Sequence, residues 1–272
     1  MSKLKRQVKQ FFISTNTLFI LDKLNYLIAK VAKFSKNKKF KKSNPDFPLP
    51  PDYYLFETYI LDYKQYKEDG EVTALEILEW TKQYQIEPLR ILDWGCGVAR
   101  VTRHIPKHVD KNSLITGADI NDQMIKWNSE KIPEVKFFKI NYYPPANFSA
   151  TQFNLVFALS VFTHIEADFQ LKWIEEMYRL ISDKGIFLFT THGKKYNSRL
   201  SEPDRYELNT KGFITKSYRK KGHRMMTTYN DPESFKKILV PYFDILEYYD
   251  GGTYPEKTGG QDLWIVRKKN QC

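Results

Sequence analysis

Cysteine is scarce in this chain: two of its 272 residues are cysteines, Cys96 and Cys272. One such pair makes neither a disulfide framework nor a zinc-ligand spacing, so nothing calls for an oxidising compartment. Long apolar runs are missing too. No stretch approaches the roughly 18 apolar residues that read as a membrane span. The first residues lack an apolar signal region ending in a small-residue cleavage site, so a cytoplasmic location is expected. Internal repeats are lacking, which excludes solenoids and fibres. Acidic residues are lacking in one region only. Residues 1–45 carry twelve Lys/Arg and one acid, Asp22, so the net charge of +11 resides in that arm and the remaining body is neutral. A neutral body continues no basic surface, so a nucleic-acid partner is not expected.

Within the arm, Leu21, Leu24, Ile28 and Val31 recur at helical spacing while Lys23, Lys30 and Lys33 point elsewhere. This predicts a basic amphipathic helix. It could lie on an anionic membrane surface, or dock on its own domain beneath a solvated lysine tail. "PDFPLPPDYY" (45–54) reads as a stiff linker. Residues 46–85 combine this linker with two expected helices, with Gly70 as the stop between them.

From residue 89 strands and helices alternate. Strands are expected at 90–94, 113–120, 135–140, 153–162 and 185–191, with helices over "NDQMIKWNSEK", 168–181 and 231–243. "FDILEYY" and "DLWIVRK" follow without a helix between them and predict an antiparallel pair. The fold class is therefore α/β. It is a Rossmann-like, mostly parallel seven-stranded sheet with an antiparallel C-terminal hairpin, preceded by a helical cap and the basic arm. The expected domains are the arm (1–45), linker and cap (46–85) and a catalytic domain (86–272) with an insertion at 192–229.

In such sheets ligands bind at the carboxyl ends of the strands. "ILDWGCGVAR" (91–100) is a strand breaking into a glycine turn, with Asp93, Gly95, Cys96 and Gly97 at its end. A dinucleotide fingerprint wants a third small residue where Arg100 stands. Asp93 would repel a diphosphate but favour a ligand bearing an ammonium and a sulfonium. S-adenosyl-L-methionine (SAM) has both, and Asp119, closing the second strand, suits its ribose hydroxyls.

These motifs resemble the class I SAM-dependent methyltransferases over residues 86–272: "LDWGCGVAR", "GADIND", "FNLVFALSVFTHI" and "EEMYRLISDKGIFLFTTHG". "LSVFTHI", "KWIEEMYRL", "TTHG" and "GGQDLW" further resemble small bacterial methyltransferases of glycan and cell-surface biosynthesis. The resemblance implies that Asp93, Gly95 and Gly97, with Cys96 between them, line the methionine part of SAM. It implies that Asp119 binds the ribose, Ile120 packs on the adenine, Asn141 and Tyr142 meet its edge, and Ser160 flanks the methyl group. It also implies that "YKEDGE" (66–71) belongs to a cap over the cofactor.

Methyl transfer to a hydroxyl needs an aligned nucleophile and a proton acceptor. His164 and His192, past the ends of neighbouring strands, are the candidate bases. The last hairpin adds Tyr254, Gln261 and Asp262 near the acceptor. The insertion carries ten Lys/Arg against three acids and several aromatics, which points to a lid for an anionic or phosphate-bearing acceptor, or to a solvated loop. No set of acids suggests a metal. The leading expectation is O-methylation of a saccharide or cell-surface precursor. The alternatives are another small-molecule or lipid acceptor, and a catalytically silent SAM binder.

Overall fold

A computed structural model describes residues 18–84, 87–217 and 226–270. Seven strands form one sheet in the order β3-β2-β1-β4-β5-β9-β8. They are β1 (Arg90–Trp94), β2 (Leu114–Asp119), β3 (Lys136–Lys139), β4 (Phe153–Ala158), β5 (Ile181–Thr191), β8 (Phe243–Tyr249) and β9 (Asp262–Lys268). The first five pair in parallel, while β9 runs antiparallel to both β5 and β8. Strand β4 is buried along its whole length, as a central strand covered on both faces must be.

One face packs Phe187, Phe189, Trp264 and Val266 against Trp173, Ile174 and Met177 of a helix at Ala167–Leu180 and Phe235 of a helix at Pro232–Leu239. The other packs Ile91, Leu155, Leu188 and Ile265 against Ala74 and Ile77 of the cap helix. The chain leaves β1 for β2 and β3, then returns to β4 on the other side of β1. That reversal opens a crevice at the carboxyl ends of β1 and β4.

In chain order the first helices are α1 (Leu18–Ser43), α2 (Asp52–Thr58) and α3 (Tyr63–Thr81). The expected stop at Gly70 does not occur: α3 runs straight through it. The break falls earlier, where Asp62 caps α3 by accepting from the Gln65 N–H (3.1 Å). Gly70 serves close packing instead. A Cβ there would stand 2.2 Å from the Arg100 carbonyl oxygen, so its absence lets α3 lie against the glycine loop. Nor is the linker free of the domain. Arg103 donates to the Pro48 carbonyl (2.9 Å) and stacks over Phe47 (4.2 Å).

Helix α1 forms as expected over its described part, and the face it turns to the domain is not the apolar stripe. It docks through Tyr26, Ala29 and Phe40, with Asn37 buried. The stripe of Leu24, Ile28 and Val31 stays exposed. Lys33, which points away from the stripe as expected, turns inward to Asp62. Buried Asp62 takes both Lys33 and Lys36, and Asn37 bridges the Leu61 carbonyl and the Tyr63 N–H. Polar matching at this seam overrides hydrophobic periodicity.

The insertion contains a helix (Glu202–Lys211) and a separate hairpin of β6 (Phe213–Ser217) and β7 (Met226–Asn230). Its tip, residues 218–225, lies outside the described residues, as do residues 1–17 of the arm.

Candidate functional site

The crevice is a cavity of about 720 Å³ lined by residues from the strand ends, the cap and the last hairpin. The glycine loop forms its floor. Gly95 has φ +81°, and a Cβ there would lie 2.4 Å from Val161 Cγ2, so both conformation and close approach demand glycine. The loop N–H groups do not face the cavity as a phosphate cradle. Those of Gly95 and Cys96 donate to the Ala118 carbonyl (2.7 and 3.0 Å), and that of Gly97 donates to Asp119 Oδ2 (2.9 Å). No α-helix starts behind the loop; a short 3-10 helix, Thr102–Lys107, stands there instead. The two features that hold a pyrophosphate, free N–H groups and a helix dipole, are thus missing from this place.

The electrostatics favour a cation. Asp93 is buried and accepts from the Thr102 hydroxyl. Burial, helped by nearby Asp119, pushes its carboxyl up to about 7. Asp119, also raised by burial, takes the Gly97 and Asn121 N–H groups. Neither carboxylate forms an ion pair among the described residues, so a ligand ammonium would supply the missing positive charge. Arg100 also lines the cavity. Its guanidinium stacks on Tyr59 (4.4 Å) and donates to Thr73 (3.3 Å), tying the cap to the loop and offering a partner for a ligand carboxylate. Trp94 and Trp173 line the cavity beside Ile120, Asn141 and Tyr142, and Trp173 donates to the Tyr142 carbonyl (3.1 Å).

Family and fold comparisons agree with this geometry. Residues 91–185 match the model of a family described as a methyltransferase domain. The fold of the chain is shared with a Pyrococcus horikoshii protein, 16% identical with a TM-score of 0.55 over 81% of this chain and 100% of that one. A SAM-dependent methyltransferase of Methanosarcina mazei is 17% identical, with TM-score 0.54 over 71% of this chain and 98% of its own. One from Mesorhizobium loti is 16% identical, also at 0.54, with the same two coverages. At these identities the likeness is one of fold. Among curated protein sequences none matches the chain. The family match and the cavity chemistry agree on a methyltransferase domain whose cavity suits SAM.

The methyltransferase cavity gathers Asp93, Gly95, Cys96, Gly97, Asp119, Ile120, Asn141, Tyr142, Ser160 and His164. His192 is not among its lining residues. It is buried, stacked on Tyr196 (4.1 Å), and burial pushes its imidazole down to about 3. That placement corrects the expectation of a second base: strand β5 turns His192 away from the crevice and into the insertion's small core. His164 instead donates from Nδ1 to the Met226 carbonyl (2.6 Å), because a carbonyl can only accept. This assigns the proton to Nδ1 and the basic lone pair to Nε2.

The last hairpin contributes Gln261, whose amide joins the Ser160 hydroxyl (2.8 Å). Asp262 is buried and turns to the Gly251 N–H and Tyr248, while Tyr254 packs edge-on to Tyr249; neither lines the cavity. The described cations of the insertion lie outside it as well. Lys211 pairs with Glu207, Lys216 with Asp204, Arg205 donates to the Leu200 carbonyl, and Arg199 stacks on Tyr196. Sequence reasoning missed Glu57, Thr58 and Tyr59, which reach the cavity from the C-terminal end of α2, and Asn128, which holds the Gly97 carbonyl (2.8 Å). No local pattern marks them, since their partners lie far along the chain.

Proposed function

We propose that the enzyme transfers the methyl group of SAM to a hydroxyl of a saccharide or cell-surface glycan precursor, with His164 as general base. The observation that carries this reading is the polar set Ser160, Thr258 and Gln261 beside His164 in the cavity lining, with Glu256 alongside. Such a set suits a hydroxyl-rich acceptor. SAM supplies a methyl group on a positively charged sulfur. In this reading Asp93 holds the ammonium, Arg100 the carboxylate and Asp119 the ribose. Ile120, Asn141 and Tyr142 surround the adenine, and Gly95, Cys96 and Gly97 follow the methionine chain. The acceptor oxygen forms its bond to the methyl carbon as the carbon–sulfur bond breaks, and its proton passes to His164 Nε2.

An anionic group on the acceptor, bound inside the cavity, is not part of the proposal, because Arg100, assigned to the SAM carboxylate, is the sole Lys or Arg among the lining residues. We place the reaction in the cytoplasm at the inner face of a membrane, where such precursors are carried. No helix among the described residues is long and apolar enough to cross a membrane. Labelled-methyl transfer over a panel of sugars, nucleotide sugars and lipid-linked sugars tests the reading. Product from lipids or unrelated small molecules alone would favour the second reading. SAM binding without turnover on any acceptor would favour a silent binder.

A further inference from the structure

Helix α1 carries two opposed faces, and the contacts among the described residues lie on one of them. The inward face is locked to the cap by Lys33 and Lys36 on Asp62 (3.0 and 2.7 Å), by Asn37 and by Phe40 against Phe47 and Tyr63. With that seam closed, the helix cannot roll. The outward face bears Ile20, Leu24, Leu27, Val31 and Phe34 at spacings of four, three, four and three, with Ile28 alongside, each between 41% and 78% exposed. The row runs about 21 Å at 1.5 Å per residue. An apolar row this long, left uncovered on a rigid helix, marks an interaction surface.

The charge around the row identifies what covers it. Lys23, Lys38 and Lys39 are exposed around it, Lys41 and Lys42 follow, Lys30 pairs with Asp52 (3.6 Å), and the single acid of the helix is Asp22. A second copy of α1 would set Lys23 and Lys38 against a like-charged twin, with Asp22 the one acid of each helix, which disfavours a coiled coil. An acidic lipid surface satisfies both features at once. Apolar side chains enter the headgroup boundary while lysines meet the phosphates. We propose that the outward face of α1 docks the enzyme on an anionic phospholipid bilayer, the helix lying in the plane of the interface. This rests on the peripheral location proposed above but not on the identity of the acceptor.

The test is sedimentation of the full chain with vesicles of phosphatidylcholine alone and of phosphatidylcholine mixed with phosphatidylglycerol. The wild type is expected on the anionic vesicles, with binding weakened by salt. Leu27→Glu combined with Val31→Glu should lower that binding by more than about tenfold, since two buried apolar side chains are lost. Both positions are exposed, so melting temperature and SAM affinity should be unchanged, which separates lost docking from lost folding. Equal binding of variant and wild type, or no binding of the wild type, would overturn the proposal. A lipid-free dimer abolished by the same variant would overturn it in favour of a second copy. SAM affinity and methyl transfer to a soluble acceptor are read separately, so either proposal can fail alone.

Discussion

The pH dependence of SAM binding offers the sharpest test of the cavity. Asp93 is buried, and its carboxyl is pushed up to about 7 from the usual 3.8 by desolvation, with Asp119 adding to the effect. A ligand ammonium binds the carboxylate and not the neutral acid. At pH 6 about one tenth of the ligand-free sites are ionised, so SAM affinity should lie about tenfold below its high-pH plateau, a difference of about 1.4 kcal/mol. Binding at that pH should also release close to one proton, measurable by calorimetry in buffers of different ionisation enthalpy. For stability the sign is reversed. A carboxyl whose folded value is raised holds its proton more tightly in the folded protein. Its contribution is therefore fully present below about pH 4 and is lost as pH rises from about 4 to about 7. The ligand-free enzyme should lose melting temperature over that window relative to Asp93→Asn, and SAM should restore it. Asp93→Asn should bind weakly with a flat profile, and comparison with it cancels any titration of SAM itself. A wild-type affinity constant from pH 5.5 to 7.5, or an equal slope in the variant, would refute the reasoning.

Three further outcomes follow from the geometry. Gly95→Ala forces a side chain into φ +81° and against Val161. It should destabilise the fold by about 1–3 kcal/mol, seen as a lower denaturant midpoint, and weaken SAM binding. Gly70→Ala pits a helix-propensity gain of up to about 1 kcal/mol against a clash with the Arg100 carbonyl costing about 1–3 kcal/mol. The cap should be displaced, with looser SAM binding by calorimetry and faster hydrogen exchange in α3. His164→Ala should cut turnover about a hundredfold or more with SAM affinity retained, whereas His192→Phe should leave turnover nearly intact. Equal losses from the two would remove the distinction drawn between them.

The sequence by itself determined the parallel sheet and the cofactor end of the site. Near-continuous apolar strands such as "FNLVF" fit a sheet covered on both faces, and a parallel sheet presents the ends of those strands on one edge. Asp93, Gly95 and Asp119 could therefore be placed from local order alone. The tertiary structure decided what depends on partners distant in the chain. Gly70 looked like a stop because helix propensity is local, but its lack of a Cβ answers to Arg100, thirty residues on. His164 and His192 looked equivalent, each just past a strand end, until the insertion's hairpin gave one a carbonyl and buried the other. The arm's apolar stripe could have met a membrane or its own domain; buried Asp62 claims Lys33 and Lys36 and turns the other face inward, because an acid without a countercharge costs more in the interior than leucines cost in water. Periodicity reports where apolar surface lies on a helix. Only the assembled chain decides which face is turned inward.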